Sequence, residues 1–125
     1  MINHISIGVR DIARAKRFYD EALSALGYRC LSADDTSLGY GDRAVAFWVG
    51  ATEHPVPADG RSNLHVCFDA PSRQAVEAFY AAALGAGGRD NGPPGVRADY
   101  GPNYYAAFVV DPDGYRLEAY REGPG

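Results

Sequence analysis

Cysteine is scarce in this chain of 125 residues: there are two, Cys30 and Cys67, and no CxxC pair. That excludes a disulfide framework and a cysteine-based zinc ribbon, and it suits a reduced, cytoplasmic protein with two small thiols set in strands. Long apolar runs are missing too. Nothing approaches the ~18 consecutive apolar residues of a membrane span. The opening MINHISIGV carries neither the basic segment nor the apolar stretch of a signal peptide. Excess positive charge is also absent, since twelve Lys and Arg face sixteen Asp and Glu for a net charge of −4. The basic residues are scattered, so neither nucleic acid nor a membrane surface is an expected partner.

What is present is a repeat. His4 is followed by Phe18, Tyr19, Ala22, Leu23, Ala25 and Gly27; His65 is followed by Phe79, Tyr80, Ala83, Leu84, Ala86 and Gly88, at a constant offset of 61 residues. An internal repeat sets the architecture before any single element does. Two copies of one module are expected, and each copy carries a histidine near the start of its first strand.

Periodicity fills in the module. Ile5, Ile7 and Val9 alternate with His4, Ser6 and Gly8, which argues a strand with one face on a helix. Asp11 is a natural N-cap for the helix that follows, and Gly27 stops it. Strand-like runs follow at Tyr28–Ala33, Ser37–Tyr40 and Ala44–Val49. In the second copy Val66 and Phe68 alternate with His65, Cys67 and Asp69, and Ser72 caps a helix that ends near Gly87 and Gly88. A Gly/Pro-rich loop spans 90–103. Tyr104–Val110 and Tyr115–Arg121 then form a hairpin about Asp111-Pro112-Asp113-Gly114, with proline and glycine where a type I turn takes them. The reading is an α+β chain of two tandem βαβββ modules, residues 1–50 and 64–125 joined by a linker at 51–63, within a single domain of 125 residues.

His4, His65 and Glu118 all fall on strand faces turned away from the helices. Two imidazoles and a carboxylate make a facial triad with open coordination positions, suited to Fe, Zn, Mn, Ni or Co without choosing among them. An inward glutamate in an otherwise apolar hairpin needs such a partner, because burying an unpaired carboxylate costs several kcal/mol, as an order of magnitude.

Three stretches, NHISIGVRDIARAKRFYDEAL, SNLHVCFDAPSRQAVEAFY and DPDGYRLEAY, resemble the vicinal oxygen chelate superfamily. That group spans glyoxalase I, extradiol dioxygenases, fosfomycin-resistance enzymes and bleomycin-binding proteins. The resemblance covers essentially the whole chain. It implies a cupped eight-stranded mixed sheet with helices outside, a homodimer, and one divalent metal ion held by His4, His65 and Glu118. The activity it implies is that of a metalloenzyme in which the ion binds a small oxygenated substrate and stabilises an enolate or oxyanion. A lyase, isomerase or dioxygenase outcome is left open. The alternative is a metal-free protein of the bleomycin-resistance kind that sequesters its ligand.

Two departures from the family pattern shape these expectations. Where glyoxalase I carries a fourth, carboxylate ligand, this chain has Phe47, or Trp48 if the register slips by one. The acid/base histidine and tyrosine of extradiol dioxygenases are also unmatched: His54 lies in the linker, and Phe108 stands at the tyrosine position. The remaining proton-handling candidates are Tyr104 and Tyr120. Phe47, Trp48, Arg97, Tyr100, Phe108 and Arg116 are the candidates to line a substrate pocket.

Overall fold

The computed structural model describes residues 1–125. Its first half runs β1 (Ile5–Val9), α1 (Ile12–Ser24), β2 (Arg29–Ala33), β3 (Ser37–Gly41) and β4 (Val45–Ala51). The second half runs β5 (His65–Asp69), α2 (Arg73–Gly85), β6 (Arg89–Asp90), β7 (Gly95–Val96), β8 (Tyr104–Val110) and β9 (Arg116–Glu122). The strands form two mixed sheets, ordered β1-β4-β3-β2 and β5-β9-β8-β6, with β7 also bonded to β8. In both, the first strand lies parallel to the last and the remaining pairs are antiparallel. The chain therefore consists of two βαβββ-like modules with two helices packed against their sheets. A ninth strand arises because the edge of the second sheet is split into β6 and β7 within the Gly/Pro-rich loop.

The helices begin and end as their sequences dictate. The Asp11 side chain accepts from the Arg14 amide at 3.0 Å, and the Ser72 hydroxyl accepts from the Ala75 amide at 3.0 Å. At the other end Gly27 and Gly87 take positive φ, 89° and 101°. The chain then turns back so that the Tyr28 amide bonds Leu23 and the Gly88 amide bonds Ala83. These are the bonds of a Schellman cap, and glycine supplies the left-handed residue without a Cβ clash.

One continuous core holds the modules together. It runs from Val9, Phe18 and Tyr19 through Leu38, Phe47 and Val49 to Phe79, Ala107, Val109, Leu117 and Ala119. Phe47 and Phe68, from different modules, meet edge to face at 5.3 Å. Polar contacts cross the same seam: the Tyr115 hydroxyl donates to the Gly8 carbonyl at 2.6 Å, and the Tyr28 hydroxyl to that of Asp69 at 2.8 Å. The hairpin turn is anchored from below, since Asp111 accepts from the Tyr19 hydroxyl at 2.5 Å and from the amides of Asp113 and Tyr115 at 2.9 and 2.8 Å. No helix is long and apolar enough to cross a membrane.

Candidate functional site

Because both helices pack on the same side of their sheets, the other side of each sheet is left for function. On the second sheet that open face presents His65 and Cys67 from β5, Glu118 and Tyr120 from β9, and Tyr104 and Phe108 from β8. Pairing fixes their neighbours: Cys67 lies beside Glu118, and Phe108 lies across from it. Glu118 is only 2 % exposed, and both its oxygens are engaged. Oε1 is 3.0 Å from His65 Nε2, and Oε2 accepts from the Tyr104 hydroxyl at 2.5 Å. The buried carboxylate thus has the partners its desolvation demands.

The aromatic residues cluster beside this pair. Tyr104 lies 4.2 Å from Tyr120 and 5.2 Å from Tyr100 between ring centroids. The Tyr120 hydroxyl donates to Glu122 at 2.9 Å. Phe108 approaches the His65 ring at 6.3 Å and carries the Arg97 guanidinium on its face at 5.3 Å. Arg116 is turned elsewhere. Its guanidinium lies so close to the linker backbone at Gly60 that a Cβ there would sit 2.5 Å from it.

His4 is not gathered into this cluster within one chain. It precedes β1, shares a 2.7 Å hydrogen bond with the Asn3 side chain, and lines a groove of about 380 Å³ with Tyr28, Val66, Cys67 and Asp69. No group of three His, Cys, Asp or Glu converges on a common point. One imidazole and one carboxylate are therefore in place, and the second imidazole stands apart.

Registers decide between Phe47 and Trp48. Ile5 pairs with Phe47 and Ser6 with Trp48, while their repeat partners Val66 and Cys67 pair with Leu117 and Glu118. Trp48 is thus the counterpart of Glu118. Its indole lies over Gly39, where an ideal Cβ would come within 2.8 Å of Cζ3. Phe47 faces the helices, 4 % exposed, with Tyr19 at 5.2 Å.

The protonation states follow from the surroundings. Burial, reinforced by the Glu118 charge, pushes the Cys67 thiol up to about 12, so at neutral pH it is a thiol rather than a nucleophilic thiolate. Burial and then the hydrogen bond to Glu118 raise Tyr104 above its ordinary 10.0. Tyr19 is raised by burial and Asp111, and Tyr40 by burial and its bond to Asp20. Each folded tyrosine value lies above the unfolded one, so the linked stability of these tyrosines is complete below pH 10 and is lost as the pH climbs through the raised values. Spectrophotometric titration should accordingly show tyrosines that ionise only as the protein unfolds in alkali. A single transition near pH 10 for all nine tyrosines would contradict this.

Residues 1–119 match the family model described as Glyoxalase/Bleomycin resistance protein/Dioxygenase superfamily. The chain belongs to that superfamily. Among solved structures it is similar to a glyoxalase/bleomycin resistance protein from Albidiferax ferrireducens T118, at 30 % identity and a TM-score of 0.81, over 97 % of this chain and 98 % of the other. A glyoxalase-related enzyme from Fulvimarina pelagi shares the fold at 18 % identity and a TM-score of 0.74, over 96 % and 86 % of the two chains. So does the fosfomycin resistance protein FosX of Listeria monocytogenes, at 13 % and 0.69, over 96 % and 91 %. No curated protein matches the chain in sequence. Superfamily membership and the open, aromatic face together support a role in binding small molecules.

Proposed function

We propose that the chain is a metal-dependent enzyme of this superfamily, a lyase, isomerase or dioxygenase acting on a small oxygenated molecule at the open face of the second sheet. The observation that carries the reading is the His65–Glu118 pair. A buried carboxylate and an imidazole 3.0 Å apart supply an oxygen and a nitrogen donor of the kind that hold Fe, Zn, Mn, Ni or Co. His4 would complete the set from a second copy. Exposed Ile2, Ile5 and Leu64 flank the two histidines, and β1 and β5 are sheet edges with no partner on one side. Apolar side chains beside an open edge favour pairing of copies, here a homodimer.

When bound, the ion would supply Lewis acidity toward the substrate's oxygens. The chain's own residues do the rest. Tyr104 orients Glu118 through its hydroxyl, and Tyr104 and Tyr120 form a wall against which a flat ligand lies. Their hydroxyls are the nearest proton carriers to that wall. Trp48 takes the place of a fourth ligand and offers neither charge nor an acid/base group. Two free thiols suit a reducing compartment such as the cytoplasm.

The test is metal analysis combined with subunit mixing. Wild-type protein purified without chelator or tag should carry a divalent ion and have a dimer's mass by light scattering. His4→Ala and Glu118→Ala should each lose the ion while remaining folded. Mixing the two variants should restore one site in each mixed dimer, about one for every four chains after random exchange, because one copy keeps His65 and Glu118 and the other keeps His4. A wild type that refuses added metal would sink the reading.

A second reading is favoured by one observation: both Glu118 oxygens already have protein partners, His65 and Tyr104. That network is complete without an ion, and with the Tyr100–Tyr104–Tyr120 cluster it suits a metal-free protein that sequesters its ligand. Refusal of metal together with retention of the dimer is the result this reading expects.

A further inference from the structure

We infer that the loop between β6 and β8 forms an oxyanion subsite centred on Arg97, and that the natural ligand carries a terminal carboxylate or phosphate-like group. This goes beyond the metal reading and does not depend on it. The guanidinium is held in place from several sides. One terminal nitrogen donates to the Gly95 carbonyl at 2.9 Å and the other to the Pro93 carbonyl at 2.6 Å, and the plane rests on Phe108 at 5.3 Å. The backbone is fixed as well: the Arg97 amide bonds the Tyr104 carbonyl at 2.7 Å, and its own carbonyl accepts from Tyr100 at 2.9 Å.

Glycine makes the seat. At Gly92, φ is 142°, and a Cβ would lie 3.2 Å from one terminal nitrogen and 3.1 Å from the Phe108 ring; at Gly95 it would lie 3.2 Å from the other nitrogen. Any larger residue at either position would press on the guanidinium. The Gly92-Pro93-Pro94-Gly95 segment therefore reads as a cradle for this cation.

This cation has no carboxylate within ion-pair distance. Arg97 takes part in no ion pair, although Asp99 lines the same cavity. Carbonyl oxygens satisfy two of its five N–H groups and leave three in a fixed plane. The residue lines a cavity of about 480 Å³ bordered also by Asn91, Tyr100 and Phe108. A planar set of donors that is already immobilised binds an oxyanion without paying further side-chain entropy, and it matches carboxylate and phosphate geometry. Phe108 bridges the two regions, with Arg97 on its face at 5.3 Å, the His65 ring at 6.3 Å and Glu118 across the strand pair, so a ligand anchored at Arg97 would extend past Phe108 toward Glu118.

The experiment uses the metal-free, chelator-treated protein, with inorganic phosphate and acetate as probes in separate titrations at matched ionic strength. The Nε–Hε resonance of Arg97 is followed by NMR and assigned by its loss in Arg97→Gln. At least one probe should shift it saturably, and the one that does names the class. Arg97→Gln, followed on the backbone amides of Gly92, Gly95 and Tyr100, should weaken binding of that probe by about tenfold or more, as expected for loss of charge-assisted hydrogen bonds. An unmoved resonance with both probes, an equal shift with chloride, or equal binding by Arg97→Gln would each overturn the proposal. Because no metal is present, failure here leaves the metal reading standing, and failure of metal uptake leaves this one standing.

Discussion

Phe47→Glu should leave little folded protein, whereas Trp48→Glu, one residue along the same strand, should fold. The Phe47 side chain is 4 % exposed, between Tyr19 at 5.2 Å and Phe68 at 5.3 Å. Removing an aromatic side chain from a core costs about 3–5 kcal/mol, and an unpaired carboxylate put in its place adds several more, as an order of magnitude. That approaches the whole stability of a typical domain, about 5–15 kcal/mol. Trp48 is on the other side of the strand, half-buried over Gly39, where a carboxylate can reach water. It is also the counterpart of Glu118. Trp48→Glu thus offers the fourth ligand that a glyoxalase carries and this chain lacks. Wild-type protein is expected to show no turnover of the methylglyoxal–glutathione hemithioacetal with any of Ni, Co, Zn, Mn or Fe, and Trp48→Glu to bind divalent metal more tightly than wild type. Circular dichroism and metal titration check both halves. A folded Phe47→Glu, or brisk wild-type turnover, would show that the register had been misread.

Asp111→Ala is expected to cost about 3–5 kcal/mol, more than any single change on the open face. Asp111 is 2 % exposed and accepts from the Tyr19 hydroxyl and from two amides of the turn. Alanine would leave these donors without their acceptor, each at about 1–3 kcal/mol when it stays dry, and the costs are not fully additive. Asp111→Asn keeps one acceptor oxygen and should recover part of the loss. The charge leaves its own signature. Burial, the largest influence, holds the Asp111 carboxyl above its ordinary 3.8. The part of its contribution linked to protonation is therefore complete below that value and is lost as the pH rises through the raised one, while the accepted hydrogen bonds remain. Wild type should gain on Asp111→Asn as the pH falls through this window. Urea unfolding followed by circular dichroism at several pH values measures all of this, and a loss below 1 kcal/mol for Asp111→Ala would show that the anchor is dispensable.

Much of the fold could be read from the chain because its signals are local. The offset between His4 and His65 announced two modules, and Asp11, Ser72, Gly27 and Gly87 marked where helices start and stop. Alternation placed His65, Cys67 and Glu118 opposite the helices. The register of β4 was illegible because AVAFWVG is apolar at every position but its last, so no alternation tells Phe47 from Trp48. β6 and β7 escaped notice for another reason: two-residue strands have no period, and the edge of β8 imposes them on a loop. The separation of His4 from the His65–Glu118 pair depends on how two sheets are disposed around shared helices, and no stretch of sequence encodes that locally. Asp111 looked like an ordinary turn residue because its partner Tyr19 lies 92 positions away. The cradle of Arg97 did leave a trace, a GPPG segment just ahead of it, whose meaning depended on where Phe108 lay.

The core that runs unbroken through both halves bears on what duplication has achieved here. Two copies of a module suggest redundancy, with one free to drift while the other keeps the task. Here Phe68 of the second copy packs on Phe47 of the first, and Tyr115 of the second holds the backbone at Gly8 of the first. Neither half is a spare. Where the sheets look outward the copies have parted, as at Trp48 and Glu118, while the core they share ties each to the other.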